Sequence, residues 1–251
     1  MSKTIILVRH GESLAQTAKR RGLPRTDPSL RDCNLSRKGE SQAKGLCKHK
    51  SLRDGIELVV VSPLTRALRT ACLGFRHLSR ENDVPFICYP GLKERGSKVP
   101  ENWPRSLKKI LKDEPELVEL KVEFSLVPPE WPDQPVPDTA TLGLLIPFLL
   151  SRSEQKIVVV AHSNVIKCLL PRLGGSVNNC APIVCTLSEH GLQLQRPSSS
   201  SSSSSSREPK QVSSNSNSNG KPKQVSTREA LLDHSTLTNS NKIRLAFCQR
   251  P

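Results

Sequence analysis

Thr4-Ile5-Ile6-Leu7-Val8-Arg9-His10-Gly11 is the stretch that decides the fold of this 251-residue chain. Its unbroken run of β-branched and aliphatic residues predicts a strand that is buried on both faces, as in parallel sheets. Open α/β sheets bind ligands beyond the carboxyl ends of such strands. We therefore expect Arg9 and His10 at the rim of a ligand crevice, with Gly11 allowing the backbone to approach the ligand closely.

Two later stretches repeat this arrangement. Lys156–Ala161 is a second buried-strand run, and His162 follows it directly. Leu58–Val61 is a third, and it leads through a Ser-Pro-Leu-Thr sequence to Arg66. Because parallel strands end at the same edge of a sheet, we expect His10, Arg66 and His162 to lie close together.

Histidines and arginines at one sheet edge suit a phosphate monoester. The planar guanidinium binds phosphate oxygens bidentately. Histidine can attack phosphorus and become transiently phosphorylated, which divides one difficult hydrolysis into two easier steps. A metal site is less well supported, because His10 and His162 lack a third carboxylate or cysteine ligand at usable spacing and the arginines would repel a cation. We predict neither a metal nor another cofactor.

Four segments resemble the motifs of one family. Residues 7–13, LVRHGES, resemble the signature of the histidine phosphatase superfamily, which includes phosphoglycerate mutases and their phosphatase relatives. Residues 34–43, 62–71 and 160–166 resemble the next helix-opening segment, the second-arginine motif and the second-histidine motif. The four motifs occur in the family's order and cover roughly residues 4–194 of the chain.

The resemblance implies a role for each matching residue. His10 is the expected nucleophile, and Arg9, Arg66 and His162 are expected to bind the phosphate and stabilise its developing charge. Glu94 occupies the family's Leu-x-Glu setting for the acid that protonates the leaving oxygen. Such an acid requires a raised pKa, which partial burial can provide. Three other carboxylates remain alternatives: Glu57, Glu81 and Glu101.

The chain departs from the family pattern in three places. Gln16 stands where many members have a phosphate-binding asparagine, so we take Gln16 as a substrate-binding candidate with a longer arm, and Arg25 as another. Ser163 replaces the glycine that often follows the second histidine. Residues 95–98, RGSK, lack the Trp-Glu-Gly pattern of the common phosphatase branch, so the resemblance does not identify the substrate.

Three functions fit these motifs. The first is a metal-independent histidine acid-type phosphatase, a phosphomonoester hydrolase in which water releases phosphate from His10. The second is a phosphoglycerate mutase, but mutases carry a longer insertion than the segment from Arg66 to His162, so we favour the phosphatase branch. The third is a phosphate-binding module without turnover, which we would expect only if one of the matching positions were lost.

Composition divides the chain into two parts. Residues 1–196 show the alternation of a three-layer α/β/α sandwich with a mostly parallel sheet. Residues 197–251 are rich in serine and asparagine and cannot bury enough apolar surface to offset the entropy of ordering, so we predict a disordered tail. Beyond the three strand runs, we predict helices at 38–48, 64–77, 139–150 and 164–170 and strands at 86–88, 183–187 and 192–194. Pro147 should kink or end the third of these helices.

The net charge of +15 indicates an anionic substrate. Basic residues follow the first motif and surround Glu94, and a basic rim of this kind would steer anions to the site. These residues are Lys19, Arg20, Arg21, Arg25, Lys93, Arg95 and Lys98. Nucleic acid is the competing ligand, but the eight aromatic residues of the chain are not interleaved with the basic clusters. We favour a phosphorylated, polyanionic small molecule or a phosphoprotein.

The cysteines and the apolar runs indicate a cytoplasmic location. The eight cysteines contain no Cys-x-x-Cys pair, which is consistent with free thiols in a reducing compartment. The first apolar run is five residues long and leads into the His10 motif, unlike a signal peptide. No run approaches the roughly 20 apolar residues that span a bilayer, so we expect no membrane partner. The sequence does not indicate an oligomeric state.

Overall fold

The structure is a computed structural model that describes residues 2–96, 98–129, 131 and 140–195. Its largest element is one sheet of six strands in the order β3-β2-β4-β1-β5-β6. The strands are β1 (Lys3–Arg9), β2 (Leu58–Val61), β3 (Phe86–Cys88), β4 (Lys156–Ala161), β5 (Ile183–Ser188) and β6 (Gly191–Leu194). The first four are mutually parallel, and β5 and β6 form an antiparallel hairpin on the β1 edge. The predicted boundary at residue 196 and the predicted tail lie outside the described residues.

Helices cover both faces of this sheet. They are α1 (Leu14–Arg20), α2 (Arg37–Lys44), α3 (Thr65–Asn82), α4 (Leu107–Asp113), α5 (Glu116–Glu119), α6 (Leu145–Ser151) and α7 (Ser163–Leu169). Short 3-10 turns occur at Pro28–Leu30, Gly45–Lys48, Lys50–Leu52, Pro90–Leu92, Pro100–Asn102 and Ala140–Leu144.

The apolar runs form the middle layer because their alternate side chains enter two different cores. Ile6 and Val8 of β1 belong to a core that contains the apolar face of α3, including Phe75. Ile5 and Leu7 belong to a second core that contains residues of α6 and α7. These four apolar side chains of β1 are fully buried, as a strand covered on both faces requires. The prediction of a three-layer sandwich with a mostly parallel sheet is confirmed.

The helix boundaries differ from the prediction in instructive ways. α3 runs to Asn82, beyond the predicted end, whereas α2 ends at Lys44 and continues as a 3-10 turn. The prediction that Pro147 would end its helix is wrong, because α6 continues to Ser151. Pro147 is the third residue of α6, in the first turn, where a backbone N–H has no intrahelical acceptor and its loss costs nothing.

Gly39 of α2 allows the helix to touch the loop that follows β1. A Cβ atom on Gly39 would lie 2.0 Å from the backbone oxygen of Glu12, and one on Gly11 would lie 2.4 Å from the backbone oxygen of Gly39. Because both neighbouring atoms belong to the backbone, the contact cannot relax by a side-chain rotation. The close approach fixes the loop that carries His10 against α2.

We expect Gly39→Ala to lower the free energy of unfolding by about 3 kcal/mol, because the added methyl group overpacks the contact. Gly45→Ala is the matched control, since a Cβ on Gly45 meets nothing within 4 Å and the residue has an ordinary helical φ of −70°. Urea unfolding of both variants measures the difference. Equal stability of the two variants would contradict the proposed role of the contact.

Two further features of the structure are the character of its helices and the state of its cysteines. In the described part of the chain, no helix combines the length and apolar character that crossing a bilayer requires. The cysteines at 33, 47, 72, 88, 168, 180 and 185 all carry free thiols.

Candidate active site

His10 lies at the carboxyl end of β1, beside the carboxyl end of β4. Its backbone N–H donates to the carbonyl oxygen of Ala161 at 3.0 Å, which extends the parallel ladder by one step and fixes the residue. The His10 side chain is 4% exposed. The strand therefore delivers a buried imidazole to the sheet edge, as the sequence predicts.

The hydrogen bonds of His10 define its tautomer. Nδ1 lies 2.6 Å from the carbonyl oxygen of Gly11, which can only accept, so Nδ1 carries the proton. Arg66 Nε donates to His10 Nε2 at 3.3 Å, so Nε2 carries the lone pair. Burial, assisted by the Arg66 charge, holds the pKa of His10 well below its usual range. The lowered pKa favours the neutral ring, in which the unprotonated Nε2 accepts from Arg66.

Arg66 is held rigidly at the start of α3. Its Nη1 donates to the backbone oxygen of Glu101, and its Nη2 donates to Asn102 Oδ1 at 2.9 Å. The fully buried Asp32 caps the same helix from another segment, accepting from the N–H of Thr65 at 2.9 Å and from its hydroxyl at 2.7 Å. This support removes most of the freedom of a long side chain before any ligand binds.

Arg9 has a donor without an acceptor. Its Nη1 donates to the carbonyl oxygen of Val177 at 2.6 Å, whereas its buried Nε has no hydrogen-bond partner in the described ranges. A buried N–H that lacks a partner costs free energy until a ligand supplies an acceptor.

His162 is fully buried, and its ring centroid lies 5.0 Å from that of His10. Its Nε2 lies 2.7 Å from Ser62 Oγ, and Ser62 Oγ also accepts from the N–H of Leu64 at 3.4 Å. Donation by the Ser62 hydroxyl to Nε2 satisfies both groups. Among the residues that the structure describes, it leaves only the N–H at Nδ1 without a partner, whereas the other tautomer leaves two groups without one. His162 therefore holds an unused donor at Nδ1. Burial holds the pKa of His162 well below its usual range.

Glu94 meets the condition for a general acid. The residue is 8% exposed, and burial raises the pKa of its carboxyl group, although the N–H of Arg95 and the charge of Arg66 oppose the shift. Its two oxygens accept from the N–H groups of Arg95 at 2.9 Å and Asn164 at 3.4 Å. The carboxyl is thus oriented by backbone donors at the cavity wall.

Gln16 lies at the third position of α1, where it completes a capping box with Ser13. Its Oε1 accepts from the N–H of Ser13 at 3.1 Å, and its Nε2 donates to Asn179 Oδ1 at 3.2 Å. Asn179 Nδ2 in turn donates to the backbone oxygen of His10 at 2.6 Å. Gln16 borders the cavity, but both ends of its amide already have partners.

Most of these groups line one cavity of about 570 Å³, whereas the fully buried His162 packs against His10 and is not part of the lining. Its lining includes Arg9, His10, Gln16, Arg66 and Glu94 from the predicted site, together with Lys19, Arg20 and Arg25 from the basic rim. Of the alternative carboxylates, Glu101 also lines it. Within the described ranges, no group of three or more histidine, cysteine, aspartate or glutamate side chains is placed to hold a metal ion.

Sequence reasoning missed three supporting residues. Asp32, Asn102 and Asn179 belong to three separate connecting segments. They support Thr65, Arg66 and the backbone of His10 respectively, and no pattern in the sequence predicts these contacts. It also missed α1, for which the sequence does contain a signal. Ser13 followed three residues later by Gln16 is the capping-box pattern of a helix start.

Comparison with known proteins identifies a family and a fold. The family model described as the histidine phosphatase superfamily (branch 1) matches residues 5–133. A curated relative from Schizosaccharomyces pombe, named a "probable phosphatase", is 35% identical over 98 residues. That match covers 38% of this chain and 43% of the relative, so the chain aligns with less than half of the relative's length.

Three solved structures share the fold. The alpha-ribazole phosphatase of Shigella flexneri gives a TM-score of 0.50 at 22% identity, covering 76% of this chain and 94% of its own. The ecdysone phosphate phosphatase of Bombyx mori, in complex with tungstate, gives a TM-score of 0.53 at 17% identity, and the match covers 82% of this chain and 97% of that one. A phosphoglycerate mutase from Bacillus anthracis gives a TM-score of 0.52 at 17% identity, and the match covers 77% of this chain and 92% of that one.

Proposed function

Because the chain belongs to the histidine phosphatase superfamily, we propose that it is a metal-independent phosphomonoester hydrolase whose nucleophile is Nε2 of His10. The observation that carries this proposal is the hydrogen bonding of the His10 ring, which lines the cavity: Nδ1–H donates to the Gly11 carbonyl, and the unprotonated Nε2 accepts from Arg66 Nε at 3.3 Å. Attack on phosphorus replaces the Arg66 hydrogen bond, and the released Nε–H can then donate to a phosphate oxygen. A nucleophile needs an unprotonated nitrogen at neutral pH, and burial supplies it.

The first step transfers the phosphoryl group to His10. Nε2 attacks phosphorus, the bond from phosphorus to the ester oxygen breaks, and that oxygen takes the proton of the Glu94 carboxyl. The imidazole keeps its proton at Nδ1, where the Gly11 carbonyl stabilises the positive charge that the ring acquires. Arg66, Arg9 and the Nδ1–H of His162 supply donors to the phosphate oxygens. Two of these donors, Arg9 Nε and His162 Nδ1, have no other partner among the residues that the structure describes.

The second step returns His10 to its starting state. A water molecule attacks the phosphohistidine, gives its proton to the Glu94 carboxylate and displaces the nitrogen, so that inorganic phosphate leaves. A phosphoglycerate mutase would share the first step and pass the phosphoryl group to a sugar acid instead. We place the substrate among phosphorylated small molecules or phosphoproteins.

We also propose residues 1–196 as the catalytic domain, residues 197–251 as a tail, and the cytoplasm as the location.

The decisive experiment follows one turnover of the full-length chain. With an aryl phosphate in excess EDTA, we expect release of inorganic phosphate at the rate seen without EDTA. Quenching a reaction with ³²P-labelled ester should leave acid-labile, alkali-stable label on the peptide that contains His10. Loss of activity in EDTA with recovery on adding metal would refute the metal-independent mechanism, and label on another residue would refute the nucleophile. Dependence on a bisphosphoglycerate primer would establish the mutase instead.

A further inference from the structure

Asn102, at the end of the 3-10 turn Pro100–Asn102, contacts two parts of the proposed active site at once. The residue is 2% exposed, and its Oδ1 accepts from Arg66 Nη2 at 2.9 Å. Nδ2 of the same amide donates to the backbone oxygens of Arg95 at 2.8 Å and Gly96 at 3.0 Å. A guanidinium group only donates and a carbonyl oxygen only accepts, so these neighbours fix the orientation of the amide and use both of its N–H groups.

Glu94, Arg95 and Gly96 form a short acid loop in which the backbone of Arg95 is held on both sides. The N–H of Arg95 donates to Glu94 Oε1 at 2.9 Å, and its carbonyl oxygen accepts from Asn102. Gly96 has a φ of +95°, a backbone conformation that favours glycine. A continuous path of hydrogen bonds therefore leads from the Arg66 guanidinium through Asn102 and Arg95 to the Glu94 carboxyl group.

This path joins two groups that must act on one substrate. In the proposed mechanism Arg66 binds the phosphate, while Glu94 protonates the ester oxygen of the same molecule. Arg66 belongs to α3, and Glu94 follows the 3-10 turn Pro90–Leu92, so their relative position depends on contacts between these two parts of the fold. A displacement of about 1 Å in such an arrangement costs roughly 10²-fold in rate.

We infer that Asn102 is a positioning residue that aligns the Glu94 acid with the phosphate held by Arg66. The inference rests on the proposed function for the roles of Glu94 and Arg66. Asn102 acts through these two residues, because its amide is already engaged by Arg66 and by the acid loop. The position requires an amide, since a carboxylate could accept from Arg66 but could not donate to two carbonyl oxygens.

Asn102→Asp separates the two halves of this contact. The carboxylate still accepts from Arg66, but it places a negative charge against the backbone oxygens of Arg95 and Gly96, so the acid loop must move. We expect kcat/KM for alkyl phosphates, which need the acid, to fall at least about tenfold more than kcat/KM for p-nitrophenyl phosphate. Weaker phosphate binding at Arg66 would lower both values equally and cancel from this ratio.

Asn34→Asp is the matched control. Asn34 Nδ2 donates to Glu114 Oε1, so the same change again places a carboxylate against an acceptor oxygen and lowers stability. The side chain of Asn34 binds Glu114 and the N–H of Leu35 rather than Arg66 or the acid loop, so the ratio of the two substrates should stay at the wild-type value. An unchanged ratio in Asn102→Asp, or an equal change in Asn34→Asp, would overturn the inference.

A second measurement depends neither on turnover nor on the folding of Asn102→Asp. Carboxyl-carbon NMR of the full-length chain, labelled with ¹³C-glutamate, follows the titration of Glu94, whose signal is identified by its loss in Glu94→Gln. Burial raises the pKa of Glu94, so release of the acid loop in Asn102→Ala should admit water and move this pKa down toward the usual glutamate value. Asn34→Ala should leave it at the wild-type value.

The two outcomes of this titration are distinct from the fate of the proposed function. An unchanged pKa of Glu94 in Asn102→Ala would overturn the positioning role, even if the wild type hydrolyses phosphate esters. A lowered pKa in Asn102→Ala, in a protein whose wild type releases no phosphate from any ester, would support the contact between Asn102 and the acid loop and refute the proposed function alone.

Discussion

His10→Asn lowers kcat/KM for phosphate release by roughly 10⁴-fold or more, because it removes the only proposed nucleophile. The asparagine amide can still donate to the Gly11 carbonyl, so the loop that follows β1 keeps its hydrogen bond. We expect a melting temperature close to that of the wild type and no trapped label. His190→Ala, which changes an exposed histidine in the turn between β5 and β6, should retain full activity.

The same variant separates catalysis from binding. Inorganic phosphate should still bind to His10→Asn, because Arg9, Arg66 and His162 remain in place. Substantial turnover in this variant, with the melting temperature preserved, would show that phosphoryl transfer occurs directly to water and that His10 only positions the substrate. A large fall in melting temperature would show that the loss of activity comes from unfolding, and the test would then be repeated with His10→Gln.

Glu94→Gln lowers the rate for alkyl phosphates by roughly 10²- to 10⁴-fold, the usual contribution of a positioned general acid. An alkoxide is a poor leaving group and needs the proton, whereas a p-nitrophenolate leaves without one. We therefore expect less than about a tenfold loss with p-nitrophenyl phosphate if transfer to His10 limits the rate. Comparison of the two substrates in one variant gives the test, and equal losses would contradict a role in leaving-group protonation.

The pH dependence of this variant has a definite sign. The acid works in its protonated form, and burial raises the pKa of Glu94, so wild-type kcat/KM for alkyl phosphates falls as pH rises through that raised pKa. This descending limb should be absent in Glu94→Gln. The raised pKa also means that the folded state binds the proton more tightly, so wild-type stability falls above the normal glutamate pKa. Glu94→Gln should therefore be at least as stable as the wild type at pH 7.

The sequence predicts the proposed phosphate-binding residues better than the residues that hold them in place. His10, Arg66 and His162 converge because each follows an apolar run, and the apolar runs become neighbouring parallel strands with a common carboxyl edge. Asn102 and Asn179 could not be predicted in this way. They reach Arg66 and His10 from loops, and the path of a loop depends on the folded core more than on local pattern.

The helix errors have local causes. The capping box at Ser13 and Gln16 indicates the start of α1. The helix is only seven residues long, however, so its apolar residues are too few to show a helical period. Pro147 was misjudged because the start of its helix was placed too early. Once α6 begins at Leu145, the same proline falls in the first turn, where it is tolerated.

The position of β1 in the sheet also determines when the protein can become active during synthesis. β1 is the first strand of this sheet to leave the ribosome, yet its two neighbours follow much later, β4 at Lys156–Ala161 and β5 at Ile183–Ser188. Both edges of β1 are unpaired until residue 161 has emerged, and the edge that faces β5 stays unpaired until residue 188 has emerged, so its apolar sequence can join other chains. Nascent chains that stop before β4 are therefore expected to be inactive and prone to aggregate, and activity arises in a single late step when both edges are closed.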